Sequence, residues 1–175
     1  MAFTTKAPWL ERELSESEMR QVMLDQISDK VCWQVGKYLG SMLYMDFGGI
    51  IQIRPGVSKR AIQVGEAMLG IRDCFWRLAD GSRVIVDSES ITDDNAAEKL
   101  KYLEGVFLRN FLVRESNMVD LVFSNHVVLS LDTSNQYEAE DHIAEFVAPN
   151  GRIYTIGPGG AFSLSDEVDT ARFVR

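Results

Sequence analysis

The stretch FWRLADGSRVIVDS, residues Phe75–Ser88, decides the fold of this chain. Apolar residues stand before Asp80-Gly81, and the β-branched run Val84–Val86 follows it. A dipeptide of Asp or Asn followed by Gly supplies the positive φ angles of a tight turn, so the stretch predicts a β-hairpin. A related stretch, EFVAPNGRIYTIG at residues 145–157, carries Asn-Gly at its centre. The chain is therefore predicted to be organised around two hairpins.

Two helices are predicted outside the β-rich runs. Ser15 is a typical N-cap, and Glu18 three residues later completes a capping box. Apolar residues then recur at helical spacing, which predicts a helix over residues 16–29. We interpret its apolar face as packing on the sheet, with presentation to a second protomer as the alternative. Thr92 and the two aspartates after it predict a short helix over residues 94–103.

The remaining runs are rich in β-branched and aromatic residues and predict about ten strands. Lys37–Phe47 is predicted to form one strand, or two strands joined by a bend. Gly48-Gly49 is predicted to be a turn, and Ala61–Ile71 fits a strand with a bulge at Gly65. The strands of the second half are predicted over Val106–Arg114, Val119–Phe123, Val127–Leu131, Ile143–Ala148 and Arg152–Ile156.

The two halves of the chain resemble each other. Gly81 and Gly151, the glycines of the two hairpin turns, lie 70 residues apart. GKYLGSML at residues 36–43 is similar to GVFLRNFL at residues 105–112, at an offset of 69. A rival register pairs MLYMDFG, which starts at residue 42, with VDLVFSN, which starts at residue 119, at an offset of 77. Either register predicts an internal pseudo-repeat over approximately 34–91 and 103–160.

These elements predict an α+β fold in a single domain, 1–175. It is mostly antiparallel β, barrel-like or a sandwich, built from two related halves with an N-terminal helix and a short connecting helix. Two such β units most simply share one core across a pseudo-twofold axis. A chain of 175 residues with 46% hydrophobic residues is long enough to bury that core.

The net charge of −8 bears on the class of partner. A general nucleic-acid binder needs a basic footprint, so binding to nucleic acid is not expected. The charge permits a basic protein partner. The sequence contains no apolar run of the roughly 18 residues expected for a membrane helix, and the first 30 residues lack the apolar centre of a signal peptide. We therefore expect a cytoplasmic protein without a membrane partner, and its oligomeric state stays open, with a homodimer as one alternative.

Candidate catalytic motifs have simpler structural interpretations. GPGG at residues 157–160 has neither the lysine nor the following helix of a phosphate loop, so we interpret it as a turn. The acidic segment 132–141, with His142 beside it, matches no known metal-binding spacing. His126 stands in a predicted turn with no nucleophile motif around it, and the two cysteines form no CxxC pair. The sequence therefore predicts no catalytic residue, metal site or cofactor, and it favours a protein that is not an enzyme.

Four segments together resemble a group of uncharacterised bacterial β-rich proteins of similar size. The segments are LYMDFG, CFWRLADG, VIVDSES and DLVFSNHVVLSLDTSN, which fall within residues 36–160. Some proteins with this pattern are found beside polymorphic toxin systems and are regarded as immunity proteins. The resemblance implies a β-rich fold and a role in binding a protein, and it carries over no catalytic residue.

The leading functional hypothesis is a non-enzymatic protein-binding domain, of the kind of an immunity-type inhibitor. Its acidic loops would meet a basic partner surface and speed their encounter. The residues expected to make that contact are Glu138, Glu140 and Asp141.

The alternative hypothesis is a small-molecule binding domain or an enzyme with a pocket between the two β halves. The wall and polar groups of that pocket would be Tyr44, Glu66, Trp76 and Arg77. A third hypothesis, a metal hydrolase, requires carboxylates and a histidine to converge within a few ångströms.

Overall fold

The computed structural model describes residues 14–53, 61–72, 74–134 and 143–165, and this part of the chain forms two α-helices and eleven strands. The helices are α1 (Glu16–Ile27) and α2 (Asp93–Leu100), and a 3₁₀ turn over Lys101–Leu103 extends α2. The strands are β1 (Cys32–Lys37), β2 (Leu43–Ile53), β3 (Ile62–Ile71), β4 (Trp76–Asp80), β5 (Arg83–Asp87), β6 (Leu108–Arg114), β7 (Met118–Phe123), β8 (Val127–Asp132), β9 (Ala144–Val147), β10 (Ile153–Ile156) and β11 (Phe162–Ser165).

The strands form two sheets in which neighbouring strands are antiparallel. Sheet 1 has the order β1-β2-β3-β9-β10-β11, and sheet 2 has the order β5-β4-β8-β7-β6. Each sheet contains a three-stranded meander, β1–β3 or β6–β8. The hairpin that follows each meander in the chain joins the other sheet, so β4–β5 lies beside β8 and β9–β10 lies beside β3. The prediction of a mostly antiparallel, sandwich-like α+β fold with two helices is confirmed.

Both sheets and both helices contribute side chains to one hydrophobic core. Strand alternation explains the sheet contribution: β8 alternates buried and half-buried residues along its whole length. Each helix contributes one stripe of apolar side chains to this core, which is the pattern of a helix packed on a sheet. The largest core side chains are fully buried and include Trp76, Tyr154, Phe47, Phe123, Met23 and Ile27.

The start of α1 follows the sequence signal. The Glu18 backbone N–H donates to the Ser15 hydroxyl, and the Ser15 backbone N–H donates to the Glu18 carboxylate at 2.9 Å. These bonds satisfy amide groups that have no partner inside the helix. The predicted capping box is confirmed. The helix then packs against β6 and β11, and its Arg20 guanidinium lies 5.9 Å from the centre of the Phe162 ring.

The prediction of a turn at Gly48-Gly49 is wrong, because β2 continues through both glycines as a bulge. Phe47 pairs with Ala67 and the next pair is Ile50 with Gly65, so two glycines lie opposite the single residue Glu66. Gly48 has a φ of 77°, which a glycine adopts without strain. The bulge therefore belongs to β2 and not to Gly65 of β3.

The first two strands of each meander share their register. In β1–β2 and in β6–β7, one unpaired residue bulges after the first pair, Trp33 in one case and Arg109 in the other. The pairs on either side of the bulge are Cys32↔Phe47 and Gln34↔Asp46 in the first meander, and Leu108↔Phe123 and Asn110↔Val122 in the second. Every residue of the first set lies 76 positions before its counterpart in the second set. The matched bulge makes the two pairings directly comparable.

The offset of 76 settles which sequence register has a structural counterpart. The offset of 69 is wrong, because residues 36–43 span the loop between β1 and β2 whereas residues 105–112 lead into the single strand β6. The rival offset of 77 differs by one residue from the observed 76. A one-residue error in a strand exchanges the buried and outward faces, so sequence similarity alone did not fix the register.

The meanders meet where they begin. Val31 and Phe107, which are also 76 positions apart, form an isolated antiparallel bridge, and the Cys32 N–H donates to the Val106 carbonyl at 2.8 Å. Gly48 donates its N–H to the Val31 carbonyl, and Ser124 does the same to Phe107. Residues that lie 76 positions apart in the chain therefore face each other across this bridge.

We predict that Trp76→Phe lowers the free energy of unfolding by about 2 kcal/mol. The substitution removes the hydrogen bond in which Trp76 Nε1 donates to the Ser41 carbonyl at 2.7 Å, and it leaves a gap in the packed core. Urea unfolding followed by circular dichroism measures the change. The control Val84→Ser removes a side chain that is 48% exposed and should change stability by less than about 0.5 kcal/mol. Equal stability of the two variants would contradict the assigned role of Trp76.

Candidate functional site

The outward face of sheet 2 carries a row of neighbouring side chains, one from each strand. In order across the sheet they are Leu112, Asp120, Ser130, Arg77 and Asp87. Residues that pair directly across antiparallel strands point to the same face, so this row follows from the register. The row is polar over four strands, although sheet faces that pack in a core are apolar.

Asp120 is the unusual member of this row, because only 2% of its surface is exposed. The Ser130 hydroxyl donates to Asp120 Oδ1 at 2.6 Å, and the Arg114 guanidinium contacts Oδ2. Burying a carboxylate without such partners would cost several kcal/mol. The Arg114 side chain is 63% exposed, so the pair presents a cation at the surface above a buried anion.

Arg77 and Asp87 continue the row at the edge of the sheet. The Ser90 hydroxyl donates to Asp87 Oδ1 at 2.6 Å, and this bond, the Ser90 backbone N–H and the positive charge of Arg77 together lower the pKa of Asp87. The Arg77 guanidinium lies 5.5 Å from the centre of the Phe75 ring, within the range of a cation–π contact. Arg77 is therefore an exposed, oriented cation.

The equivalent row on sheet 1 has different chemistry. In order across the sheet it consists of Gly36, Tyr44, Gly70, Glu145, Thr155 and Ser163. Glu145 is 3% exposed and Thr155 is 4% exposed, so this row also contains a buried carboxylate. Arg72 Nη2 donates to Glu145 Oε2 at 3.0 Å. Asp120 of sheet 2 and Glu145 of sheet 1 are thus buried carboxylates that each pair with a partly exposed arginine. Asp46 on β2 is a further buried carboxylate of sheet 1, and the Gly65 backbone N–H donates to its Oδ1 at 3.0 Å.

Two glycines flank Tyr44 in this row, and they play different roles. A Cβ at Gly36 would lie 2.4 Å from Tyr44 Cζ, so the ring lies over that glycine. A Cβ at Gly70 would have no atom of the described residues within 4 Å. The row therefore has an open position between Tyr44 and Glu145.

The second candidate contact surface is a two-stranded segment at the end of β2 and β3. We call it the ribbon and define it as Ile50–Ile53 paired with Ile62–Gly65. In the described pairings these segments contact each other, whereas β1 and β9 pair with β2 and β3 only nearer the other end. Ile50 is 57% exposed and Ile51 is 44% exposed. Successive residues of a strand point to opposite faces, so the ribbon exposes an isoleucine on each face.

The residues predicted to line a pocket lie in separate places. Trp76 is fully buried in the core, and Arg77 points to the opposite face of the same strand. Tyr44 lies on the outward face of sheet 1. Glu66 lies beside the β2 bulge, where Lys30 Nζ donates to it at 2.9 Å; this bond raises the pKa of Lys30 and lowers that of Glu66. The structure does not bring these four residues together.

The other predicted chemical groups are placed as follows. The acidic trio Glu138, Glu140 and Asp141 lies outside the described residues, as does His142. His126 occupies the turn between β7 and β8 with a φ of 67°. Both cysteines are buried, and burial raises the pKa of the Cys32 thiol to about 12. Among the described residues, no group of three or more His, Cys, Asp or Glu side chains is arranged to hold a metal ion.

Sequence reasoning missed the buried carboxylates Asp46, Asp120 and Glu145, although each leaves a signal. Asp46 stands between Met45 and Phe47. Asp120 stands within the run Met118–Phe123, where its neighbours on both sides are apolar, and Glu145 stands between Ala144 and Phe146. A single carboxylate inside a β-rich apolar run indicates a paired or functional position, because an unpaired one would oppose burial.

Comparison with known proteins gives no match: no protein-family model, no curated protein and no solved structure matches this chain. Within the described residues, no helix is both long enough and apolar enough to span a bilayer. The outward faces of the sheets and the ribbon are therefore the features of the molecule that bear on its function.

We predict that Arg114→Ala lowers the free energy of unfolding by about 1–2 kcal/mol, because it leaves the Asp120 carboxylate buried with one hydroxyl partner. This loss of stability is modest because water can reach the exposed arginine side of the pair. Arg83→Ala is the matched control. It breaks an arginine–aspartate pair whose side chains are 64% and 51% exposed, and it should cost less than about 0.5 kcal/mol. Equal effects of the two substitutions in chemical denaturation would refute the assigned role of Arg114.

We also predict that Ser90→Ala raises the pKa of Asp87 more than Arg77→Ala does, because the Ser90 hydroxyl is the largest cause of its lowered pKa. A carboxyl group with a lowered folded-state pKa stabilises the protein above its unfolded pKa, and this contribution is lost as pH falls through the folded pKa. Ser90→Ala should therefore destabilise the protein at neutral pH more than in strong acid. Carboxyl ¹³C NMR titration of both variants measures the order, and the reverse order would contradict it.

Proposed function

We propose that this protein is a non-enzymatic protein-binding domain, an immunity-type inhibitor of a basic partner, and that the ribbon is part of its contact surface. The observation that carries the proposal is the pair of exposed isoleucines on a two-stranded extension of sheet 1. Single exposed apolar residues are common on proteins, but two adjacent ones on opposite faces of a projecting ribbon offer apolar surface to a partner from either side.

The energy available from the ribbon is sufficient for a specific contact. Full burial of an isoleucine side chain contributes roughly 1.5–3 kcal/mol. Ile50 and Ile51 still expose about half of their surfaces, so their complete burial would contribute about 2 kcal/mol together. That value corresponds to roughly a 30-fold change in affinity.

The charge of the chain supports a basic partner. The net charge is −8, and Glu138, Glu140 and Asp141 concentrate negative charge in one segment of the sequence. Opposite charge on the two surfaces increases the association rate and adds salt dependence to the affinity. A toxin with a basic active surface has the chemistry that such an inhibitor would block.

The alternative of a pocket between the halves has weaker support. It requires Tyr44, Glu66, Trp76 and Arg77 to line one cavity, and these side chains lie in the core, on two different outward faces and beside the β2 bulge. The ribbon and the polar rows favour contacts on the outer surface of the molecule.

We further propose that the two halves arose by duplication of one module, consisting of a helix, a three-stranded meander and a hairpin. The shared bulge at Trp33 and Arg109, the bridge between Val31 and Phe107, and the exchange of the two hairpins between the sheets support this proposal. Helix α1 packs on β6 of the other half, and α2 packs on β1, so the helix positions are reciprocal as well.

We predict that the ribbon variant Ile50→Ser/Ile51→Ser binds the partner at least tenfold more weakly than the wild type, because it removes the apolar contact. The partner is captured from the source cells at low salt, purified, and measured by titration calorimetry. The control Val84→Ser changes a similarly exposed residue on the edge of sheet 2 and should bind as the wild type does.

The same purified partner tests the electrostatic part of the proposal. Neutralising Glu138, Glu140 and Asp141 to Gln, Gln and Asn should slow association and reduce the salt dependence of the affinity. The proposal fails if no partner is captured at low salt, if the ribbon variant retains full affinity, or if neutralisation leaves the affinity unchanged.

A further inference from the structure

Gly70 is a glycine that the fold itself does not require. Glycine inside a strand costs stability, because it gains no packing and loses more backbone entropy than other residues. The other described strand glycines have a reason to lack a side chain: a Cβ at Gly65 would lie 2.5 Å from the Phe47 backbone N, and one at Gly49 would lie 2.7 Å from Glu66 Oε1. Gly70 has no left-handed φ, and a Cβ there would meet no described atom within 4 Å.

The space above Gly70, which we call the recess, has both polar and apolar residues around it. Tyr44 and Glu145 are its direct neighbours across the sheet, and Met68 and Arg72 are its neighbours on the same face of the chain. Glu145 is buried while the position between it and Tyr44 is open. The recess therefore combines a carboxylate with apolar groups that could flank an alkyl chain.

The equivalent position on sheet 2 is filled, which gives an internal comparison. Ser130 occupies the position on sheet 2 that Gly70 occupies on sheet 1, because Ser130 pairs with Asp120 and Gly70 pairs with Tyr44. The Ser130 hydroxyl donates to Asp120. Asp120 thus receives a hydroxyl from its neighbour on the sheet in addition to its arginine. Glu145 has no side chain beside it at Gly70, and its Oε2 is paired with Arg72 at 3.0 Å. A carboxylate has about four acceptor positions, so one arginine does not saturate it.

We propose that the recess above Gly70 receives one lysine or arginine side chain of a basic protein partner, with Glu145 as its counter-ion and Met68 beside its alkyl stem. This inference rests on the proposed function and names one contact within it. Arg72 stays paired with Glu145 Oε2, and the incoming cation takes the remaining acceptor positions of the same carboxylate. The net charge of −8 favours the approach of such a cation.

The test uses the complete ¹⁵N-labelled protein and the peptide acetyl-Gly-Arg-Gly-amide as the probe, followed by amide chemical shifts. A peptide with citrulline in place of arginine has nearly the same shape and no charge. We expect saturable shifts at Gly70 and Glu145 with the arginine peptide, and at least tenfold weaker binding of the citrulline peptide. Gly70→Val, which fills the recess, and Glu145→Gln, which removes the charge, should each weaken binding at least tenfold.

Two controls keep the result interpretable. Ser130→Ala alters the equivalent position of sheet 2 and should leave peptide binding unchanged. Gly70→Val should be at least as stable as the wild type in urea, since valine favours strands and the added side chain meets open space. A marked loss of stability in this variant would overturn the inference, because it would show that the glycine serves the fold.

The inference is also overturned if the citrulline peptide binds as well as the arginine peptide, if the shifts lie elsewhere, or if Gly70→Val binds normally. These outcomes are separate from failure of the proposed function. If the peptide does not bind but a captured partner still depends on the ribbon, only the proposed cation site in the recess is refuted. If the peptide binds at the recess but no partner is captured, the cation site is supported and the proposed inhibitor function is refuted.

Discussion

The structure depends on the exchange of hairpins between the two sheets. In sheet 2, Trp76 of β4 pairs with Leu131 of β8, and in sheet 1, Ile71 of β3 pairs with Ala144 of β9. Each meander would otherwise end in a strand with unpaired N–H and C=O groups and an uncovered apolar face. Because each half completes the sheet of the other, neither half buries its core alone, and the two sheets form one cooperative unit.

This exchange also determines where polar groups can lie. The inward faces meet in a single core, so a carboxylate on a central strand must lie on an outward face and find a partner there. Asp120 and Glu145 do so on opposite sheets, each with an arginine. Where sheet 2 has Ser130, sheet 1 has Gly70, and no atom of the described residues lies within 4 Å of the position that its Cβ would take. A shared framework thus supports two surfaces with different chemistry.

Much of the local structure was predictable from residue type. The capping box at Ser15, the short helix after Thr92 and the glycine turns at residues 81 and 151 are formed by interactions between near neighbours, and the structure contains all of them. The turn predicted at Gly48-Gly49 failed because a glycine pair serves a bulge as well as a turn, and the choice depends on whether a partner strand continues opposite. The residues proposed for a pocket are not brought together, and strand alternation sends Trp76 and Arg77 to opposite faces.

Residue type and short-range spacing were enough to locate the helix caps, the hairpin turns at residues 81 and 151 and most of the strands, and they also gave the acidic charge. The tertiary structure was needed to show that each hairpin joins the opposite sheet, that β1–β2 and β6–β7 share a strand register at an offset of 76, and that Gly70 and Glu145 are neighbours. The physical reason is that strand pairing joins residues far apart in the chain. Its register is selected by burial across the whole sheet and not by any local pattern.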